Sequence, residues 1–459
     1  MISQQSKHDE SLCHINEDIH TKDRYLNDSD DVRANVCIEL PTIKHKDGKQ
    51  YCILHLPAKD KDEVLFDSVL NERIKSVENE FINIENNLTK YQKPEAKSKL
   101  KYDFRYVWFP KEANLSKHIF VVSVDFSDAV FIEGAFFSNS LFSAQSRFVG
   151  TKFKSAIFNG VKFNSEANFL LASFEYSEFI STIFNSEKEA SFQQAKFTGH
   201  SSFYYATFGN VDFSQAKFSK DVDFESTTFS GESKFNETTF SNTGKTSFYK
   251  AKFTKDTFFD NTKFNNDVSF NSAIFGSDSD IIFRDAQFEK YVSFRYSTSE
   301  GYLRFINLKQ GNDCLFKFEE AAFEKANRIS FYNLRLQPHW FVGVDSSKFV
   351  FTNCSWKQPD NSNVKTKSKL AKLSDTPKSN KLLTKTCWQL ANNHDASNSF
   401  SKASIFRQMA NESKRLEDSK GRKLWSLHWW YWLLPYYGES PLRAGLVLIG
   451  VLFLFAVAY

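Results

Sequence analysis

From Phe126 to Phe294 a phenylalanine recurs every five or six residues almost without failure. That spacing excludes both regular elements as a host. On an α-helix a step of five turns each ring about 140° past a whole turn, so the rings spread around the cylinder instead of forming one apolar stripe. In a flat strand an odd step sends successive rings to opposite faces. A coil of four short sides, each turning one Phe inward and repeating after about 21 residues, buries them all by stacking coil on coil.

The steps themselves point to four sides. Counted from Phe126, one alternating class is always five residues, while the other is five, six or, three times, eight. This parity holds if Phe137, not Phe136, is the core member of its doublet. Ala135 agrees, because the position two before nearly every core Phe is small or β-branched, as with Ala129, Ala156, Ala195, Ala216, Val211 and Val268. Core rings on this reading include Phe137, Phe163, Phe197, Phe208, Phe218, Phe253 and Phe275. The eight-residue steps are Phe184 to Phe192, Phe240 to Phe248 and Phe275 to Phe283. Their offsets predict that the first and third leave one corner of the coil and the second leaves the opposite corner.

Ser-Gln-Ala-Lys-Phe at 214–218 and Asp-Val-Asp-Phe at 221–224 resemble the units of the pentapeptide-repeat family, Ala-Asp/Asn-Leu/Phe-x-x. The resemblance covers about 230 residues with its weaker flanks. It implies a mainly β chain folded as a right-handed quadrilateral β-helix. The alternation of five with six resembles a Phe-centred subgroup and departs from the strict five-residue majority.

Around this core the chain divides into six stretches. Residues 1–35 are polar and aperiodic and read as a disordered tail. Residues 36–100 carry a hairpin, Val36–Leu40 and Tyr51–Leu56 around Asp47-Gly48, followed by an amphipathic helix over 62–92 with Leu65, Phe66, Val69, Leu70, Ile74, Val77, Phe81, Ile84 and Leu88 at helical spacing. A solenoid exposes strand edges at its end, so covering the first coil is the simplest task for that helix; a partner surface is the alternative. The β-helix is expected over 101–356, with its regular part at 126–294 and its last coils ending near Trp356. A flexible linker at 357–381, two short helices near 382–393 and 402–423 within a juxtamembrane region ending at 441, and an apolar helix at 442–459 complete the chain.

The last segment carries the strongest indication of location. Trp425, Trp429, Trp430, Trp432 and Tyr436 crowd together just ahead of an uncharged run from Ala444 to Tyr459, and Trp and Tyr gather at membrane interfaces. A transmembrane helix is therefore predicted, with basic residues just upstream holding that side cytoplasmic. The run is short for a span, and the chain stops inside it, so a tail-anchored protein and a truncated reading frame are both open. Tyr437-Gly438-Glu439-Ser440-Pro441, together with the Cys-Ile-Leu-His-Leu-Pro run at 52–57, is similar to bacterial pentapeptide-repeat proteins attached to the inner membrane. In such proteins the span can be followed by a channel-like segment, and no pore loop is present here.

Chemistry is sparse. Cys37, Cys52 and His55, with His45 nearby, are candidates for zinc, but without a paired Cys-x-x-Cys the alternative is that they are buried or incidental. No carboxylate pair, nucleophile and base, or phosphate-cradling glycine loop stands out, and His200, His339 and His394 are isolated. No enzyme activity and no cofactor are expected. With net charge +4, no global field calls for nucleic acid. Some members of the family imitate DNA, which needs an acidic surface. Residues 120–300 carry about 22 acidic and about 17 basic residues, and Lys152, Lys154, Lys162, Lys217, Lys220, Lys234, Lys250, Lys252 and Lys255 interrupt any acidic stripe. The expected role is a membrane-anchored rod that binds or scaffolds a protein partner. A regulatory or sensor part of a channel or transporter is the alternative, and DNA mimicry a minor one.

Overall fold

The structure, a computed structural model, describes residues 40, 42–185, 187–241, 243–312, 314–323, 325, 328–357, 379–417 and 441–458. The expected tail at 1–35 and most of the expected linker lie outside these residues. The chain forms a parallel β-solenoid of about 11 turns with several helices, and it divides into two compact units, Met1–Asn266 and Asp267–Tyr459.

The first unit opens with an antiparallel hairpin, β1 (Thr42–Lys44) and β2 (Gln50–Cys52), in the register Thr42↔Cys52. Gly48, at φ +84°, supplies the left-handed residue of its turn. The hairpin is tighter than the sequence suggests. Its second strand ends at Cys52, because His55 and Leu56 both donate backbone bonds to the Cys52 carbonyl and curl the chain before Pro57. Helix α1 (Glu63–Asn87) follows, capped by the Asp62 carboxylate, which accepts from the Val64 and Leu65 amides at 3.0 Å each. It ends short of the expected residue 92, and a separate short helix, α2 (Lys93–Lys99), begins there with Pro94 in its first turn. Phe66, Ile74 and Ile84 are buried on α1. Phe66 meets Phe109 edge to face at 5.7 Å, and Lys111 pairs with Asp67 at 2.8 Å, so α1 lies against the first coil.

Each turn of the solenoid then contributes four short strands, and each strand pairs in parallel with its counterpart one turn on. One such turn runs through Ser146–Arg147, Lys152–Phe153, Ala156–Ile157 and Lys162–Phe163, which pair with Ala167–Asn168, Ser173–Phe174, Ser177–Glu178 and Ile183–Phe184. We number these hydrogen-bonded ladders one to four in that order. The local logic is a three-residue alternation of small inward, polar outward, Phe inward. Ala216 and Phe218 are buried, for example, while Lys217 between them is exposed.

The rings form four columns. In the column after ladder one, Phe126, Phe148, Phe169, Phe192, Phe213 and Phe235 stack at 4.7–5.2 Å with interplanar angles of 2–9°. Neighbouring columns meet edge to face, as Phe148 and Phe158 do at 5.5 Å and 88°. Both arrangements suit the ring quadrupole. Phe137, Phe163, Phe197, Phe208, Phe218 and Phe253 lie in these columns, fully buried, whereas Phe136 is only half-buried.

The parity of the steps has a backbone cause. The constant five-residue steps, from ladder one to two and from three to four, each contain a turn closed by a bond such as Ala195 N to Phe192 O at 3.1 Å. The third residue of each turn has positive φ: Gly150, Leu171, Gln194 and Gln215 on one side, Gly160, Ser181, Tyr205 and Ser226 on the other. A turn of that type fixes its own length. Among the described residues the other two joints carry no positive-φ corner of this kind, and they absorb the extra residues. Phe184 to Phe192 joins ladder four to ladder one, and Phe240 to Phe248 joins ladder two to ladder three. Where a Thr closes one of these five-residue turns, its hydroxyl donates to the Phe carbonyl one turn back, as from Thr151 to Phe126, Thr227 to Phe203 and Thr238 to Phe213 at 2.7–2.8 Å.

The second unit continues the four-strand pattern with Asp280–Arg284, Tyr302–Ile306, Ile329–Tyr332 and Phe349–Thr352 as one ladder. Within it Phe275, buried, leads through the third eight-residue step to Phe283, from a strand paired with Thr298–Ser299 to one paired with Tyr302–Ile306. The Phe rule loosens after Phe294: Ser299 follows Phe275, and Gln310 follows Phe288, in register. Helices α3 (Ser379–Ala396) and α4 (Phe400–Glu417) form a hairpin on the last turns, and α3 begins inside the expected linker. Asn393 ties α3 to the solenoid by donating to the carbonyls of Ser346, Ser347 and Phe349 at 2.9–3.2 Å. The expected span at 442–459 forms helix α5 (Pro441–Ala458), 18 residues long. At about 1.5 Å per residue it reaches about 27 Å, against about 30 Å of hydrocarbon. Among the described residues no helix is long and apolar enough to cross a membrane.

Candidate functional site

The N-terminal cluster forms where β2 curls into the first coil. Cys52 Sγ lies 3.2 Å from His55 Nδ1, and His55 Nε2 lies 3.0 Å from the Arg105 carbonyl, with both side chains buried. His45 is engaged elsewhere, its nitrogens 3.1 Å from Asp47 and from Asp60. Cys37 lies outside the described residues, and among those described no group of three His, Cys, Asp or Glu side chains could hold a metal. Lys61 donates to the carbonyls of Leu54, at 2.7 Å, and Trp108, and its ammonium sits 4.3 Å from the Phe66 ring centroid. Burial pushes its amine down to about 7. These groups tie hairpin, helix and first coil together.

Beneath α1 a groove of about 420 Å³ is lined by Val69, Glu72, Arg73, Tyr102 and Asp103. Burial raises the Asp103 carboxyl, but the bidentate Arg105 guanidinium, at 2.7 and 2.9 Å, outweighs it and holds the group low. Asp125 is raised by burial and by Asp103 beside it. The pair is an ion-paired strand edge, and it presents neither a nucleophile nor a free base.

The outer surface of the first unit sorts its charges by ladder. Ladder two carries, at its outward position, Trp108, Val130, Lys152, Ser173, Lys196, Lys217, Thr239 and Lys263 in continuous register. Ladder three and its flanks carry Tyr176, Glu178, His200, Tyr204, Tyr205, Asp223 and Glu225. Tyr176 donates to Glu178 and is pushed up to about 12 by that bond. Burial raises Asp223. At the entry to ladder one, Glu189 is raised by burial, with Asp212, Glu166 and Glu232 adding to the effect and Lys234 opposing it. Single-residue spacing could not reveal this sorting; reading one position per coil does.

In the second unit His339 is buried on a short helical turn, and His394 is buried between rings, parallel to Phe406 at 5.3 Å and edge-on to Trp356 at 6.0 Å. Burial lowers the His394 imidazole to about 4. Trp425, Trp429, Trp430, Trp432 and Tyr436 lie outside the described residues.

No curated protein and no solved structure matches the chain. A family described as pentapeptide repeats (9 copies) matches residues 187–228 and 248–298. Both segments fall on turns in which Phe columns, small inward residues and positive-φ corners recur together, and these two stretches of the Phe-rich solenoid are pentapeptide repeats.

Proposed function

We propose that this chain is a non-catalytic binding or scaffolding rod, a right-handed quadrilateral β-helix held at the cytoplasmic face of a bacterial inner membrane by α5. One observation carries the binding role: the interior of the solenoid is filled by Phe rings, which leaves recognition to the outward positions. The strand repeat constrains those positions least, so they are where a partner would be specified. Such a rod acts by presenting side chains at fixed intervals to a protein partner. DNA mimicry is disfavoured by the exposed lysines of ladder two.

The tether is supported by the surface of α5. Leu446, Leu448, Ile449, Leu452, Phe453 and Leu454 are all exposed, and a contiguous apolar surface of that kind needs a nonaqueous partner. The aromatic and basic residues that precede it in sequence fit a membrane interface. Membrane fractionation with carbonate washing, applied to the full chain beside a version ending at Glu439, tests the tether. The full chain is expected to stay with the membrane and the shortened one to be released; release of both defeats the tether.

A further inference from the structure

Ladder two of the first unit spends stability on something other than folding. Lys196 and Lys217 are direct partners in parallel register, one strand spacing of about 4.8 Å apart, and like charges directly opposite are unfavourable. Ser173 and Thr239 at the same position show that the fold accepts neutral residues there. Lys152 stands two turns before Lys196, and Lys263 two turns after Lys217. The four lysines thus occupy one line of about 24 Å. All are exposed, and among the described residues none makes an ion pair or side-chain hydrogen bond. Lys154 and Lys220 extend the same strands' flanks. Acidic residues on its flanks include Glu175, exposed beside Phe174, Asp221, exposed beside Lys220, and Glu237 at the turn, which accepts from Gln215 at 3.1 Å. Unneutralised cations aligned at a cost to the sheet mark a surface awaiting an anion.

We propose that this lysine line docks on anionic phospholipid headgroups, laying the first unit against the membrane surface. The chemistry favours lipid over nucleic acid. The charges are all lysine, point charges without the planar fork that reads base edges bidentately. They are unevenly spaced, at zero, two, three and five turns, which laterally mobile headgroups accommodate and a rigid phosphate backbone does not. Each lysine near such a surface contributes roughly fivefold in affinity, so the four together supply on the order of several hundredfold. The proposal draws on the tether only in placing a bilayer nearby.

The test is flotation of the full chain with phosphatidylcholine vesicles, with and without added phosphatidylglycerol, beside the variant K152Q/K196Q/K217Q/K263Q. Amine-reactive labelling of Lys196 and Lys217 is read in parallel by mass spectrometry. If α5 inserts, both chains float with neutral vesicles in high salt, and the line is read from labelling: Lys196 and Lys217 are expected to be several-fold slower to label when phosphatidylglycerol is present. If α5 does not insert, neutral vesicles recover neither chain. Phosphatidylglycerol vesicles should then recover the unaltered chain alone, in a manner abolished by salt. The tether thus fails on neutral vesicles, and the lysine line fails on the lipid-dependent readouts. Labelling or flotation indifferent to phosphatidylglycerol overturns the proposal. So does lysine-dependent binding of a short DNA duplex with no response to phosphatidylglycerol, which assigns the line to nucleic acid.

Discussion

Truncating Phe213 to alanine should be among the most damaging single changes in the first unit. Its ring is fully buried, stacked on Phe192 at 4.8 Å and on Phe235 at 5.2 Å. It is also met edge to face by Phe203, Phe208 and Phe224 at 5.5–5.8 Å. A buried Phe→Ala change costs about 3–5 kcal/mol, and aromatic pairs in good geometry add about 0.5–1.5 kcal/mol each. With this many rings engaged, the upper end, about 5 kcal/mol, is expected. Phe323 provides the contrast. It sits in a loosened turn of the second unit, with Phe318 at 6.3 Å and Phe349 at 5.6 Å, and its truncation should cost about 3 kcal/mol. Because a solenoid's stability is close to a sum of turn and interface contributions, an interior loss weakens two interfaces at once. Urea denaturation followed by circular dichroism measures the totals, and hydrogen exchange at the amides of Phe213 and Lys217 reports the local opening. A cost for Phe213→Ala below about 2 kcal/mol, or no greater than that for Phe323→Ala, would refute the claim that stacked columns hold the fold together.

Three further outcomes follow from the geometry. Thr227→Val removes a hydroxyl that donates to the Phe203 carbonyl at 2.7 Å, and denaturation should show a loss of about 1 kcal/mol, small because that carbonyl also accepts from the Ala206 amide. Leu171 holds φ +59° at a corner filled elsewhere by Gly150, so Leu171→Gly should raise stability by up to about 1 kcal/mol, read as a shift in denaturation midpoint. Burial lowers His394 to about 4 from its ordinary 6.5, so the unfolded state binds the extra proton between those values. Stability from the α3–α4 hairpin is therefore complete above about pH 6.5 and declines as pH falls toward 4, by about 3 kcal/mol in all. His394→Phe should flatten that decline in a pH series of melting curves.

The Phe period carried most of the solenoid because it records a stacking constraint directly: each ring must meet one about 21 residues away, so the spacing is the fold. The parity of the steps was legible for the same reason, whereas its cause was not. Positive φ is expected of Gly, yet only Gly150 and Gly160 among the corners of the first unit are glycine, and Leu171, Gln194, Tyr205 and Lys250 take the same conformation under tertiary constraint. The hairpin was placed by Asp47-Gly48, but its length depended on the curl at His55, which rests on the remote Arg105 carbonyl. The break after Asn87 was missed because apolar spacing continues to Leu88, while the backbone leaves helical geometry there. His45 and His55, close in sequence, have different partners: His45 meets Asp47 and Asp60, and His55 meets Cys52 and the Arg105 carbonyl.

The candidate surface was hidden for a different reason. In a solenoid, residues adjacent in space are a full turn apart in sequence: Lys196 and Lys217 are register partners, and nothing local joins them. Along the chain each lysine is only the ordinary polar residue before a Phe, and Lys152 and Lys217 look like interruptions of an acidic stripe. Reading every turn at one position reverses that meaning, because the same lysines align on ladder two while Glu166, Glu189 and Glu232 gather at the entry to ladder one. The inward positions are dictated by stacking and tell nothing of a partner. The outward positions are released from stacking, so an alignment there that costs the sheet energy is the form in which selection for binding becomes visible in such a fold.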